Sequence, residues 1–286
     1  MLQRHESFRG CTASVGASVA THQKPPLVFA HANGFTGRSY QSLLSPLSER
    51  FSLHPLEQLG HHPRFPVGRN WLALRDELLS RLPEDDEPVI GVGHSMGGVL
   101  MAMAADKAPE RFRCVVAMDP PLMLGLDALA IKLAKRTGMV DRITPAGRSL
   151  RRRAHWPDRQ AMGEDLRRKG LFRGFTPEAF DDYLAGAVKH LQSGGVSLAF
   201  SPDTEVEIFR HLPDHLRYLP SRLSVPLALL AGRESDLLTR RRIRRIRRHD
   251  VPLELVPGGH MFPMEHPDAC RRALCTTLER LLEPSS

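Results

Sequence analysis

The sequence predicts an α/β fold: a mostly parallel central sheet with helices on both faces, plus a helical insertion. Three observations predict it. Short apolar runs alternate with helical stretches from Pro25 onward, which is the pattern of a parallel sheet covered on both sides. One of those runs, Val225 to Ala231, is apolar without alternation, as expected for a strand buried on both faces. Between about Leu122 and Leu219 the alternation stops, so the stretch reads as several helices and loops inserted into the α/β unit. The expected division is a segment 1–24 of polar and small residues, either disordered or an edge strand; a core of 25–121 and 220–286; and an inserted unit of 122–219.

The elements follow in order. Leu27 to Ala30 reads as a strand entering the loop His31-Ala32-Asn33-Gly34-Phe35, with a helical stretch starting near Ser39. Phe51 to Leu56 reads as a second strand, followed by a turn at Gly60-His61-His62-Pro63. Trp71 to Leu82 has helical periodicity, with Trp71, Leu72, Leu74, Leu78, Leu79 and Leu82 on the expected core side. Glu87 to Ile90 is a short buried strand, Arg113 to Met118 another ending at Asp119-Pro120-Pro121, and Leu253 to Val256 the last.

The most informative stretch is Gly91-Val92-Gly93-His94-Ser95-Met96-Gly97-Gly98. A Gly-x-Ser-x-Gly pattern between a strand and a helix describes a tight turn that lifts the serine hydroxyl above the sheet. The turn admits only small flanking side chains, a steric reason for Gly93 and Gly97. The helix that follows, beginning in the run up to Ala105, aims its N-terminal N–H groups at the same place. Ser95 is therefore the candidate nucleophile. The loop after the first strand can supply an oxyanion donor, so the N–H groups of Asn33 and Met96 are the candidates for an oxyanion hole. Asp236, after the apolar run ending in Ala231-Gly232, is read as the acid that orients a histidine; its alternative is a helix N-cap for a helix beginning near Leu237. Asp119 also ends a strand and is the rival acid. His260 follows Gly258-Gly259, which allow a loop tight enough to bring it over the sheet. His266, beside Pro267, reads as helix entry, and His94, pointing away from Ser95, as packing or a supporting residue rather than a catalytic one.

In order, these pieces are oxyanion loop, Ser, Asp and His, each after an apolar strand. The chain resembles the α/β-hydrolase superfamily in its serine-nucleophile branch from about Pro25 to the C-terminus. The loop His31-Ala32-Asn33-Gly34 departs from that superfamily's commoner His-Gly start. The resemblance implies a catalytic triad of Ser95, Asp236 and His260, an acyl-enzyme mechanism on a carboxylic ester, and an insertion that acts as a cap shaping the acyl pocket. Thioesterase, lactonase and carbon–carbon-bond hydrolase chemistry use the same machinery, and a non-catalytic binding protein of the same fold is the reading from outside enzymology. Epoxide hydrolases and haloalkane dehalogenases place an aspartate at the elbow, because their covalent intermediate must itself be an ester; a serine there points away from both. The mechanism calls for neither cofactor nor metal, and the expected partner is a small-molecule acyl substrate.

Composition sets the remaining expectations. The 286 residues suffice for one large α/β domain with an insertion. An apolar run long enough for an integral membrane segment is not evident, and the first residues lack the apolar core of a secretory signal. Cys11, Cys114, Cys270 and Cys275 have no metal-ligand spacing, so the expected setting is reduced and cytoplasmic. The formal charge of +8 comes largely from two clusters, Arg148 to Arg153 and Arg240 to Arg248. In the second, Leu237, Leu238, Ile243 and Ile246 recur at helical spacing, which describes a surface helix with a basic outer face. No recognition motif accompanies the charge, so nucleic acid is not an expected partner.

Overall fold

The computed structural model describes residues 24–84 and 87–283; the segment 1–24, expected to be disordered or an edge strand, lies almost wholly outside them. Six strands form the central sheet: β1 (Pro26–Ala30), β2 (Ser52–Pro55), β3 (Val89–His94), β4 (Phe112–Met118), β8 (Leu227–Gly232) and β9 (Leu253–Val256). Their order is β2-β1-β3-β4-β8-β9 and every pairing is parallel. Each was legible as an apolar run. The ends of most shift by one or two residues, and β3 differs most, because it starts at Val89 and continues through His94 into the glycine-rich motif.

Both faces of the sheet are buried, and the two-residue period of a strand divides its side chains between them. In β1, Val28 and Ala30 join one core, Leu27 and Phe29 the other. In β4, Val115 and Ala117 face the first core, and Cys114, Val116 and Met118 the second. Helices α1 (Leu72–Leu79), α2 (Met96–Lys107) and α7 (Arg240–Arg247) contribute to the first core, and α8 (Pro267–Leu282) to the second. In α1 the expected core residues Leu74 and Leu78 are fully buried, but Leu72 is 41 % exposed. Asn70 and Trp71 have positive φ, and this kink starts the helix late and turns Leu72 outward. Burial pushes the Cys114 thiol up to about 12, so it behaves as a small hydrophobe.

Between β4 and β8 lie α3 (Leu126–Arg136), α4 (Arg159–Arg167), α5 (Pro177–Ala187) and α6 (Pro202–Arg210). The insertion is thus largely helical, as expected. It also carries a small antiparallel sheet of β5 (His155–Trp156), β7 (Val196–Leu198) and β6 (Val188–His190), which the sequence did not announce because its strands are two or three residues long. Helix α5 packs on the turn after the first loop so closely that a Cβ on Gly186 would lie 2.2 Å from Thr36 Oγ1.

The chain lays down β1, crosses to β2 on one side, then returns to build β3, β4, β8 and β9 on the other. In open parallel sheets the crevice at such a reversal, at the carboxyl ends of the strands, is where ligands bind. The ends of β1 and β3 lie there side by side, with Ala30 opposite Gly93.

Candidate active site

Ser95 sits between the end of β3 and the start of α2, with φ 54° and ψ −115°. A non-glycine residue with positive φ is strained backbone, held only where surroundings over-determine it. Here they do. The Ser95 N–H donates to Met118 O at 2.8 Å, and Ser95 O accepts from Val99 N–H. The flanking glycines are sterically required: a Cβ on Gly93 would lie 2.3 Å from Gly97 C, and one on Gly97 would lie 2.1 Å from Ala30 O.

His260 reaches the serine from the loop after β9. A Cβ on Gly232 would lie 2.1 Å from Gly259 O, and Gly258 has φ 101°, so the loop folds tightly against the end of β8. Glu265 holds it by accepting from Gly259 N–H at 2.7 Å. His260 Nε2 lies 3.1 Å from Ser95 Oγ, and His260 Nδ1 lies 2.7 Å from Asp119 Oδ2. A carboxylate only accepts, so Nδ1 carries the proton and donates it to Asp119; Nε2 is then the lone pair facing the serine hydroxyl. Such a chain can take a proton from Ser95 and stabilise the imidazolium that results.

The carboxylate hydrogen-bonded to His260 is that of Asp119; the expected Asp236 makes no hydrogen bond to His260 among the described residues. Asp119 is fully buried at the end of β4, directly beside β3, and its N–H donates to Leu230 O at 2.8 Å. Asp236 lies four residues beyond the end of β8 in an exposed bend. Nor does it cap a helix at Leu237, since α7 starts at Arg240 with Thr239 as its N-cap. The residue of that turn that does face the site is Ser235. Its hydroxyl donates to the same Asp119 Oδ2 and accepts from Leu237 N–H at 3.2 Å. Asp119 Oδ1 is buried with no hydrogen-bond partner among the described residues, so both donors act on one carboxylate oxygen.

Of the two N–H groups expected to form an oxyanion hole, one directly follows Ser95. Met96 N–H opens α2, where no intrahelical acceptor exists, and Asn33 follows the end of β1 in a turn. Neither N–H donates to a protein acceptor among the described residues. Asn33 itself is fixed from the insertion: its side-chain amide donates to Glu205 O at 3.0 Å. The Glu205 carboxylate accepts from Ser149 Oγ at 2.7 Å and from Arg152 Nη1 at 2.6 Å, while Arg152 Nη2 donates to Tyr183 Oη at 2.6 Å. Arg152 therefore turns inward, unlike its exposed neighbours Arg151 and Arg153.

Two buried histidines brace these loops. His31 Nε2 accepts from Leu59 N–H at 2.9 Å and its Nδ1–H donates to Ala32 O at 2.8 Å; burial lowers its pKa to about 4, and it is neutral. His94 is also buried and neutral, its pKa driven well below the usual histidine value by burial and then by neighbouring His260. Its donors and acceptors are set by its partners. His260 O can only accept, so His94 Nε2–H donates to it at 2.9 Å. His94 Nδ1 then accepts from Tyr40 O–H at 2.7 Å, and Tyr40 Oη accepts from Ala32 N–H at 3.2 Å. A continuous hydrogen-bonded line thus runs from the loop bearing Asn33 to the backbone of His260. His94 is thus a supporting residue, one of the two roles expected of it; no motif marks Tyr40 or Ser235, whose contacts to His94 and Asp119 span 54 and 116 residues.

Comparison with known proteins agrees with this architecture. The chain is 24% identical over 236 residues to the Abhydrolase domain-containing protein AFT2-1 of Alternaria alternata, covering 68% of this chain and 84% of that one. Its fold is similar to that of E-2-(acetamidomethylene)succinate hydrolase, with a TM-score of 0.71 at 22% identity over 89% of this chain and 91% of the other. It is also similar to that of the peroxisomal α/β-hydrolase Lpx1 from Saccharomyces cerevisiae, with a TM-score of 0.70 at 14% identity over 92% of this chain and 78% of the other. Residues 27–273 match the Alpha/beta hydrolase family, and the chain belongs to that family.

Proposed function

We propose that this protein is a serine hydrolase that cleaves a carboxylic ester through an acyl-enzyme. The observation that carries the reading is the unbroken line Ser95 Oγ, His260 Nε2, His260 Nδ1 and Asp119 Oδ2, with contacts of 3.1 and 2.7 Å. Ser95 Oγ attacks the acyl carbonyl as its proton passes to His260 Nε2. The N–H groups of Met96 and Asn33 receive the negative charge that develops on the carbonyl oxygen. When the tetrahedral intermediate collapses, the bond to the leaving alkoxide breaks and His260 returns the proton to it, releasing the alcohol. Water then gives a proton to His260 and attacks the acyl-enzyme; collapse frees the carboxylic acid and restores Ser95–OH. Asp119 stays ionised and balances the imidazolium in both halves.

The insertion acts as a cap over this site. Its hold on Asn33 through Glu205 and the close packing of α5 on the Thr36 turn support that role. A cap attached to the oxyanion loop links acyl-group fit to the geometry of the oxyanion donors.

The test is intact mass after exposure to a fluorophosphonate, with Ser95→Ala alongside, followed by rates on matched esters, thioesters and lactones. A single adduct on the wild type only, with esters cleaved fastest, is the expected result. Faster thioester or lactone turnover would move the substrate class without touching the machinery. Unchanged ester hydrolysis by Ser95→Ala would overturn the assignment.

A further inference from the structure

Ten large apolar side chains are exposed among the described residues, and six of them fall between residues 126 and 150: Leu126, Leu129, Leu133, Met139, Ile143 and Leu150. The first three, at 59, 60 and 60 % exposure, lie on one helix, α3. Their spacing puts them within about 60° of its circumference, while Ala128, Ile131 and Ala134 cover its buried side. Leucines at such positions ordinarily face a core; here they form a stripe with no protein covering it.

The borders of the stripe are basic. Lys132 and Arg136, both exposed, edge one side by helical position. On the other side Asp127 accepts from Arg242 Nε at 3.0 Å and lies 3.7 Å from Arg245 Nη1, which ties α3 to α7. Neither Lys132 nor Arg136 forms an ion pair among the described residues.

We propose that the exposed face of α3 docks onto a membrane surface bearing anionic lipid headgroups. An apolar stripe edged by Lys132 and Arg136 matches an interface that takes leucines into the acyl boundary and cationic groups at the phosphates. Nucleic acid would use the cationic groups and leave the leucines in water. A two-fold contact through the stripe would bring its basic edges together, where they repel. The inference rests on this surface alone and is independent of the chemistry at Ser95.

Cosedimentation of the full chain with vesicles tests it, using phosphatidylcholine alone or mixed with phosphatidylserine, at low and high salt. The wild type should bind the mixed vesicles at low salt, weaken at high salt and stay in solution with phosphatidylcholine alone. Lys132→Gln with Arg136→Gln should lower the partition coefficient by about fivefold per cation. Leu129→Ser with Leu133→Ser should lower it by about tenfold or more, and thermal unfolding of both exposed-site variants should match the wild type. Wild-type protein that ignores phosphatidylserine vesicles overturns the proposal, as does a leucine variant that binds them undiminished. A concentration-dependent oligomer lost in the leucine variant, without vesicle binding, would assign the face to self-association instead.

Discussion

His260 and Asp119 are joined across 2.7 Å from strands that are not neighbours, one in the loop after β9 and one at the end of β4. The strand between them, β8, holds Asp119 through Leu230 O, which accepts from its N–H, and the turn after β8 adds the Ser235 hydroxyl, which shares Asp119 Oδ2. Asp119→Ala should therefore lower kcat by about 10³–10⁴-fold, as loss of the residue that sets tautomer and balances charge does in triads. Asp236→Ala should leave kcat within about twofold, since an exposed side chain away from special contacts contributes little. Steady-state kinetics of the two variants decides between them, and the reverse ranking would return the acid to the turn after β8.

Ser235→Ala removes one of the two donors on a buried carboxylate whose other oxygen has no partner among the described residues. The carboxylate then keeps His260 Nδ1–H as its one donor on Oδ2, and kcat should fall by about tenfold with KM little changed. Steady-state kinetics with kcat unchanged would show that Ser235 serves the turn rather than the acid.

Tyr40→Phe leaves His94 Nδ1 without its donor and Ala32 N–H without its acceptor. Chemical denaturation should show a loss of about 1–3 kcal/mol, the cost of orphaning buried polar groups. Because the line ends on the backbone of His260, kcat should fall by about tenfold or more while KM changes little. Loss of stability with kcat intact would make the line structural only.

His31 is neutral when folded, with its pKa lowered to about 4, and regains an ordinary value near 6.5 when unfolded. Between these values the unfolded chain holds a proton that the folded one lacks, so stability falls as pH drops through that window and levels off below it. For His31 the full loss is about 3 kcal/mol, and His94, shifted in the same direction, adds to it. Above about pH 6.5 neither contributes a slope. Urea unfolding at stepped pH should show the decline in the wild type and a shallower one in His31→Gln.

Gly97→Ala places a methyl carbon 2.1 Å from Ala30 O, backbone against backbone with no flexible side chain to yield. Thermal unfolding should show a loss of more than about 3 kcal/mol, and the fluorophosphonate should no longer label Ser95. A normally stable, labelled variant would mean that the elbow relaxes more easily than its packing implies.

The features legible along the chain are local ones. Six strands are readable because each is a short apolar run, and the elbow because Gly93 and Gly97 are demanded by a turn five residues long. His260 is readable because two glycines precede it. The tertiary structure decided what depends on lateral neighbours. Asp119 and Asp236 both follow apolar strands, and only the pairing of β4 against β3 puts one of them, buried, under His260. Residues Tyr40, Ser235, Glu205 and Arg152 act at positions distant in sequence from their partners, so no motif marks them. The same holds for the leucines of α3: their periodicity promises a buried face, and only the folded chain shows that the buried face is the alanine and isoleucine side. Spacing along a chain encodes backbone conformation and amphipathicity; which polar group meets which is set by register and loop closure, and those exist only once the sheet has formed.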